Sequence, residues 1–309
     1  MGNGRLEVEI GSLALHSPLM IASGTCAYGL ELLEFTGFDW GAVGAIVLKG
    51  TTLKPRKGNP PPRIAEVASG VINSIGLENP GVDKVVSDIL PKLADLPVAI
   101  VANVAGFTVG EYVEVSVKLS AAENVSAIEL NVSCPNVEKG SAEFGQDSES
   151  LAELVRAVRK VTELPLIVKL SPDVRPLAEL AKAALDSGAD ALSLVNTARA
   201  MAIDIHSRKP LLGNTTGGLS GPALKAIAVA RVHEVFSAIP GTKIVGMGGI
   251  RSAEDALEFI IAGASAVAVG TSFLIDPGVC PRITTGISEY LDEHGLDSLQ
   301  QLVGTLGTV

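Results

Sequence analysis

Short apolar runs that end in small or polar residues recur along the whole chain. Their length and their content of Val, Ile, Leu and Ala are typical of buried β-strands. Most of the intervals between them carry apolar residues at three- and four-residue spacing, which predicts amphipathic helices. Eight runs have the strand form: PLMIA at 18–22, AIVLK at 45–49, VAIVA at 98–102, AIELN at 127–131, LIVKL at 166–170, ALSLV at 191–195, KIVGM at 243–247 and AVAV at 266–269.

Capping signals support several of the helices. Asp147 precedes a run with an acidic residue in its first turn, and Pro172-Asp173 is predicted to open the next helix. Gly188 and Gly263 stand where glycines commonly end helices. The predicted helices cover residues 82–93, 109–122, 148–161, 174–187, 222–236 and 253–262.

The alternation of strands and helices predicts an α/β fold, a (β/α)8 TIM barrel. Parallel strands joined by right-handed crossovers close naturally at eight. An open doubly wound sheet is the alternative, but it needs no eightfold count and usually carries an early GxGxxG, which this chain lacks.

The segments outside this repeat complete the expected organisation. Residues 5–15 predict a short N-terminal β-hairpin, and residues 273–309 a last barrel helix with a helical tail. The stretches 50–80 and 198–219 predict long βα loops at the C-terminal face of the barrel. Because no linker divides the chain, we expect a single domain over residues 1–309.

Composition narrows the classes of function. The net charge of −10 and the pI near 5.0 argue against nucleic-acid binding, which requires a positive surface. The N-terminus carries acidic residues and no long apolar run, and the apolar window 256–275 is interrupted by Glu258, Gly263 and Gly270. We therefore expect a soluble cytoplasmic protein without a membrane anchor. The three cysteines lie far apart, so we expect neither a disulfide framework nor a metal site.

The strand ends are the candidate site, because TIM-barrel enzymes carry their active sites at the C-terminal face. Glycine-rich strings at 217–221, 246–250 and 269–272 predict a phosphate site, since bare backbone amides approach an anion closely. A phosphorylated cofactor and a phosphorylated substrate fit this feature equally. The predicted register places the following residues together at the C-terminal end of the barrel, here called the mouth: Ser23, Lys49, Asn103, Asn131, Lys169, Asn196, Gly249 and Gly270.

Lys49 and Lys169 interrupt apolar strands, where an unpaired ammonium is costly. A structural ion pair, a Schiff-base nucleophile and a partner for negative charge on a cofactor or substrate all explain them.

Several asparagines at the predicted mouth resemble a cage around an amide-rich ring, because amides donate and accept without transferring protons. They are Asn73, Asn103, Asn131, Asn136 and Asn196.

Cys134 lies on a loop tip that Pro135 stiffens, and it is the candidate proton acceptor of the site. The alternative is a small buried hydrophobic residue, which describes most free cysteines. The four histidines do not cluster with Cys134 in the sequence, so a Cys–His hydrolase has little support. His206 lies in the long sixth loop, and we assign no chemistry to it.

Seven motifs follow one another along the chain: VLKGTT at 47–52, INSIGLENPG at 72–81, NVSCPN at 131–136, IVKLSP at 167–172, VNT at 195–197, MAIDIHSRKPLLGNTTGGLSGPA at 201–223 and VGMGGI at 245–250. Together they resemble class 1 dihydroorotate dehydrogenases over nearly the whole chain. This resemblance implies an FMN-containing TIM barrel that oxidises dihydroorotate to orotate in pyrimidine (UMP) biosynthesis, with Cys134 as the catalytic base. Class 2 enzymes are less similar, because they use a serine at the base position and carry an N-terminal membrane-binding extension.

The resemblance also assigns the other site residues. Lys169 is expected to favour the anionic reduced flavin, and Lys49 to bind the substrate carboxylate. The residues expected to bind FMN are Ser23, Lys49, Gly50, Asn103, Asn131, Lys169, Val195, Gly221, Gly248, Gly249, Gly270 and Thr271. Those expected around the substrate are Lys49, Asn73, Ser74, Ile75, Gly76, Leu77, Asn131, Asn136, Asn196 and Thr197.

Three segments, 59–66, 137–145 and the MAIDI run, resemble subclass 1B, whereas Ala198-Arg199-Ala200 departs from it. Subclass 1B implies an NAD-linked enzyme whose homodimeric core joins a second polypeptide with FAD and an iron–sulfur cluster, giving a heterotetramer. The alternatives within the family are a stand-alone class 1A-type enzyme that uses fumarate and a related dihydropyrimidine dehydrogenase. Outside it, the alternatives are a Schiff-base lyase that uses Lys169 and a barrel retained as a scaffold.

Overall fold

Eight parallel strands close into a barrel in the order in which they follow one another along the chain. The structure is a computed structural model that describes residues 4–132 and 144–307. The predicted (β/α)8 class is confirmed, and each of the eight strand-like runs overlaps one barrel strand, although β7 extends two residues beyond its run. In chain order, the strands are β1 Val8–Ile10, β2 Leu13–Leu15, β3 Leu19–Ile21, β4 Ala45–Val47, β5 Ile64–Val67, β6 Gly70–Asn73, β7 Ala99–Val104, β8 Ala127–Asn131, β9 Leu166–Leu170, β10 Ala191–Leu194, β11 Ala198–Ala200, β12 Ile203–Asp204, β13 Lys209–Pro210, β14 Gly217–Ser220, β15 Ile244–Met247 and β16 Ala266–Val269.

The barrel itself consists of β3, β4, β7, β8, β9, β10, β15 and β16, and β16 pairs back onto β3. All residues of β8, β9 and β10 are buried, as expected for parallel strands whose two faces are both covered. No helix in the described segments is long and apolar enough to cross a membrane. The α-helices are Leu30–Glu34, Val82–Lys84, Val109–Ser120, Ser148–Arg159, Leu177–Asp186, Lys225–Ala238, Ala253–Ala262, Thr271–Ile275 and Val279–Glu293.

The N-terminal hairpin packs against the N-terminal end of the barrel. β1 and β2 pair antiparallel, with Val8 opposite Leu15, and the turn falls at the predicted Gly11. A Cβ on Gly11 would lie 2.8 Å from the Cβ of Asp190, the residue before β10. The hairpin therefore covers the end of the barrel that lies opposite the predicted site.

Two predicted helices differ in the structure, and a proline explains each difference. Residues 82–93 form an α-turn, a π-turn at Val85–Ile89 and a 3-10 turn at Leu90–Leu93, because Pro91 cannot donate a helical hydrogen bond. The helix expected from 174 begins at Leu177, and Pro172-Asp173 do not open it. Pro176 disfavours helical geometry at the preceding residue and becomes the N-cap itself.

The other boundaries agree with the predictions to within three residues, and the helix expected from 222 opens with a 3-10 turn at Pro222–Leu224 before the α-helix Lys225–Ala238. The Asp147 carboxylate accepts a hydrogen bond from the Ser150 amide at 2.7 Å, which caps the helix Ser148–Arg159. Gly188 and Gly263 have φ values of 109° and 125° at the ends of their helices. The chain ends with the helix Val279–Glu293 and a 3-10 turn at Leu299–Leu302, as expected for the last barrel helix and tail.

The two long connections are not merely loops, because they form a second sheet together. Its order is β11-β14-β6-β5, all antiparallel, and Asn73 of β6 pairs with Gly218 of β14. The segment Ala198–Ala200, which departs from the subclass pattern, is β11 of this sheet. The pairing joins distant segments whose short runs carry little strand signal of their own, so the sequence did not reveal it.

Candidate active site

Lys169 reaches across the barrel mouth from the fifth barrel strand to the loop after the first. Its ammonium donates a hydrogen bond to Ser23 Oγ at 3.0 Å, and its side chain is 6% exposed. Ser23 follows β3, so this bond joins residues that are far apart in sequence. The predicted convergence of these strand ends is therefore present for this pair.

Glu129 supplies a buried carboxylate beside Lys169, with Oε1 at 3.8 Å from the ammonium nitrogen. Its Oε1 accepts from Asn103 Nδ2 at 2.6 Å, and its Oε2 accepts from Ser193 Oγ at 2.7 Å. These four residues stand on β7, β8, β9 and β10, so the carboxylate connects four neighbouring strands. Sequence reasoning assigned Glu129 no role. The available signal was a carboxylate in the middle of a buried strand, where an unpaired charge is costly.

The Asn103 side chain combines one satisfied and one unsatisfied atom. Its nitrogen donates to Glu129, whereas Asn103 Oδ1 is buried and accepts from no donor in residues 4–132 and 144–307. A Cβ at Gly50 would lie 2.9 Å from this oxygen. A glycine at that position therefore leaves space beside Oδ1 that the Cβ of any other residue would fill.

The ends of β8 and β10 bring two more predicted amides together. Asn196 Nδ2 donates to Asn131 Oδ1 at 3.2 Å, and Asn196 Oδ1 accepts from the Thr197 amide at 2.8 Å. Tyr112 donates its hydroxyl hydrogen to the Asn131 carbonyl at 2.8 Å. Beside them, the backbone of Val195 donates to the Met247 carbonyl at 3.0 Å, which joins the end of β10 to β15.

Lys49 lies in a more open part of the mouth, with its side chain 25% exposed. Its ammonium is 3.9 Å from Glu78 Oε2, and Arg63 forms a shorter ion pair with the same carboxylate at 2.8 Å. Because Arg63 also neutralises Glu78, the longer Lys49 contact leaves this lysine suited to a second anion.

The predicted substrate segment 73–77 begins in β6 and continues into a tight turn. Asn73 Nδ2 donates to the Gly218 carbonyl at 3.3 Å. Ser74 is buried, and its Oγ accepts hydrogen bonds from Asn59 and Asn214, each at 2.9 Å. The hydroxyl therefore links the long βα connection 50–80 to the connection 198–219. After Ile75, Gly76 and Leu77 have φ values of 77° and 56°.

The glycine-rich strings meet as predicted. Gly221, Gly249, Gly270 and Thr271 line one cavity of about 290 Å³, to which Arg251 and Arg282 also contribute. A Cβ on Gly249 would lie 2.9 Å from the Gly221 carbonyl oxygen, so no side chain fits there. Gly248 packs tightly instead, because a Cβ on it would lie 2.9 Å from the Ala228 Cβ. Asp276 also lines the cavity and pairs with Arg282 at 2.7 Å, so the bare backbone and Arg251 are the features that suit an anionic group such as a phosphate.

The remaining candidates divide between described and undescribed residues. Cys134 and Asn136 lie outside the described residues. His206 is exposed in the turn between β12 and β13, where its amide donates to Asp204 Oδ1 at 2.9 Å. Burial raises the pKa of Cys26 and of Cys280 to about 12, so both thiols stay protonated at neutral pH.

Known proteins resemble this chain over most of its length. The family model described as "Dihydroorotate dehydrogenase" matches residues 5–291. A protein of Anoxybacillus flavithermus is 52% identical over 300 residues, which cover 97% of this chain and 95% of the relative. A protein of Desulforudis audaxviator is 48% identical over 300 residues, with 97% of each chain covered. Both carry the description "Dihydroorotate dehydrogenase B (NAD(+)), catalytic subunit".

A solved structure shares the fold. The crystal structure of DHODH in complex with ferulenol from Eimeria tenella matches with a TM-score of 0.82 and 25% sequence identity. The match covers 98% of this chain and 89% of that chain.

Proposed function

The chain belongs to the dihydroorotate dehydrogenase family, and from this premise we propose that it is the catalytic subunit of an NAD-linked dihydroorotate dehydrogenase. It oxidises (S)-dihydroorotate to orotate in pyrimidine (UMP) biosynthesis, with FMN as its cofactor. The observation that carries this proposal is the contact of Lys169 with Ser23 and Glu129 at the barrel mouth. Asn103, Asn131 and Asn196 and the glycine-lined cavity also lie at the C-terminal ends of the barrel strands.

The described residues fit FMN in two respects. The glycine-lined cavity suits the phosphate, and the unsatisfied Asn103 Oδ1 offers an acceptor to a donor on the ring or the ribityl chain. When bound, FMN supplies the hydride acceptor. The residues that hold it are Ser23, Lys49, Gly50, Asn103, Asn131, Lys169, Val195, Gly221, Gly248, Gly249, Gly270 and Thr271.

Lys169 would help to hold FMN and would supply a positive charge to a reduced, anionic ring, and Ser23 and Glu129 fix the position of its ammonium. Lys49 binds the substrate carboxylate. Cys134 takes the proton from the carbon next to the one that loses the hydride, so oxidation removes one hydride and one proton and leaves a C=C bond. The substrate is surrounded by Lys49, Asn73, Ser74, Ile75, Gly76, Leu77, Asn131, Asn136, Asn196 and Thr197.

Electrons leave this chain through a partner. The relatives are described as catalytic subunits of an NAD(+) enzyme, which supports a separate electron-transfer subunit. We assign FAD and an iron–sulfur cluster to that subunit and expect a homodimeric core within a heterotetramer. The fumarate-linked and dihydropyrimidine-oxidising alternatives have less support from these descriptions. The Schiff-base lyase is disfavoured because the Lys169 nitrogen is directed at Ser23 Oγ and the Glu129 carboxylate, whereas a Schiff-base lysine must direct its nitrogen at a substrate carbonyl carbon.

An acceptor assay tests this proposal. The purified chain is mixed with dihydroorotate and, in separate reactions, with an artificial dye, fumarate or NAD, and orotate is measured. We expect orotate with the dye, none with fumarate, and orotate with NAD only when the co-purifying partner is present. Turnover with fumarate would instead identify a stand-alone enzyme. Borohydride trapping of a substrate adduct on a colourless protein would establish the lyase.

A further inference from the structure

Glu129 does more than balance a buried charge. We infer that Glu129 is a positioning residue that orients the Asn103 side chain so that its oxygen faces the cofactor. This inference rests on the proposed function, because it takes FMN as the ligand.

The orientation follows from the chemistry of the two side chains. An ionised carboxylate only accepts hydrogen bonds, so the Asn103 atom 2.6 Å from Glu129 Oε1 has to be the nitrogen. A flipped amide would place two acceptor oxygens at that short distance, where they repel each other. Glu129 thus turns Asn103 Oδ1 away from itself.

The carboxylate is itself held in place. Ser193 donates to its other oxygen at 2.7 Å, and the Lys169 ammonium lies 3.8 Å from Oε1. Glu129 and Ser193 are each 1% exposed, so water does not compete at these contacts. Because residues on β9 and β10 hold the Glu129 carboxylate in place, the Asn103 amide has a single favourable orientation.

The position of Asn103 Oδ1 indicates which kind of ligand atom can bind beside it. Asn103 is 1% exposed, and its Oδ1 accepts from no donor in the described part of the chain. It lies beside Gly50, where a Cβ would come within 2.9 Å of it. An oxygen in this position can accept a hydrogen bond from an N–H or O–H group of a bound ligand. FMN offers such donors only at its ring imide and its ribityl hydroxyls, and the other polar atoms on the ring edge are acceptors in the oxidised state.

The FMN dissociation constant of the holoprotein, measured from flavin fluorescence on dilution, tests the inference. Glu129→Met keeps the side-chain length but removes both acceptors, and we expect the constant to rise about tenfold. Glu129→Gln retains an acceptor oxygen for Asn103 and Lys169, so the constant should stay within about threefold of wild type. Asn103→Leu removes the oriented group and should also raise the constant about tenfold.

The double variant separates positioning from a structural role. If Glu129 acts through Asn103, then Glu129→Met combined with Asn103→Leu raises the constant about tenfold rather than about a hundredfold. Multiplied effects, wild-type affinity in Glu129→Met, or equal damage from Glu129→Gln and Glu129→Met would each overturn the inference. A wild-type protein that binds no FMN would overturn the proposed function as well.

A second pair covers the case in which Glu129→Met does not fold. Asn103→Asp places a second carboxylate against Glu129 and should weaken FMN binding at least about tenfold. Adding Glu129→Gln to it should restore affinity to within about threefold of wild type, because the glutamine can donate to the new carboxylate. Absence of this rescue contradicts the inference.

Discussion

The two ends of the barrel each carry an ion pair, in very different surroundings. At the mouth, Lys169 and Glu129 have side chains only 6% and 2% exposed, with 3.8 Å between their charged atoms. At the base, Arg159 and Asp190 are 25% and 37% exposed and 3.0 Å apart. A partly exposed pair contributes little to stability, whereas a buried pair costs desolvation that its mutual attraction scarcely repays.

This difference separates residues that serve the fold from those that serve the chemistry. Asp190 also accepts from the Leu166 amide at 2.8 Å, so it fastens the start of one strand to the next. The groups at the mouth include a buried amide oxygen for which the described residues supply no donor. Buried polar groups in this state are expected where a ligand completes the site. Substitutions at the mouth should therefore change catalysis, and substitutions at the base should change stability.

The largest effect on catalysis should follow loss of the proposed proton acceptor. We expect Cys134→Ser to lower dihydroorotate oxidation at neutral pH by about 10² to 10⁴-fold while the protein retains its flavin. The matched control is Cys280→Ser, which alters a buried thiol in the helix Val279–Glu293 and should leave turnover per folded molecule near wild type. Undiminished turnover in Cys134→Ser removes this cysteine from the mechanism.

Removal of the buried cation should have the next largest effect. Lys169→Met is expected to lower the rate of flavin reduction by about 10² to 10³-fold, because the charge that faces the reduced ring is lost. Arg159→Met removes a cation at the opposite end and should leave that rate within about twofold, as expected for a weak, partly exposed pair. Stopped-flow reduction of both variants makes the comparison, and similar rates in the two would contradict it.

The glycine-lined cavity allows a smaller effect to be measured with a closely matched control. Gly249 and Gly241 have φ values of 84° and 83°, so replacement by alanine strains both alike. Only Gly249 is crowded, because no atom lies within 4 Å of a Cβ built on Gly241. We expect Gly249→Ala to weaken FMN binding about tenfold and Gly241→Ala to leave it unchanged, as measured by flavin fluorescence. Equal affinities would exclude the cavity as the phosphate site.

The smallest effect is expected for a substitution at the N-terminal end of the barrel. Asp190→Asn should lower the free energy of unfolding by about 1 kcal/mol, because it weakens one partly exposed ion pair and one hydrogen bond. Flavin content and turnover should not change. Urea unfolding followed by circular dichroism measures the first quantity, and loss of flavin at unchanged stability would contradict the division between the two ends.

The barrel and most of its rim were predictable because they depend on local signals. A buried parallel strand is apolar throughout, and its carboxyl end is marked by the first polar or small residue, as at Asn131 and Gly270. The closed order of eight strands then follows from alternation with helices. Ser23 and Lys169 could be assigned to one mouth for this reason.

The remainder depended on contacts that the sequence does not display. The sheet of β5, β6, β11 and β14 forms between two distant connections, so neither segment shows its partner. Glu129 was visible as a charge in a strand, but its role depends on Asn103 on the adjacent strand β7 and on Ser193 on β10, which approach it only when the strands assemble. The irregular helix before β7 shows how one proline changes hydrogen bonding while the apolar spacing remains helical.

Anaerobic titration of the purified wild-type chain with dihydroorotate tests the central claim most directly, namely that strand ends across the barrel build one flavin site. The account predicts a yellow protein whose visible flavin absorption bleaches in proportion to added dihydroorotate, with one orotate formed per flavin reduced. A protein that carries no flavin, or a flavin that dihydroorotate leaves oxidised, would contradict it.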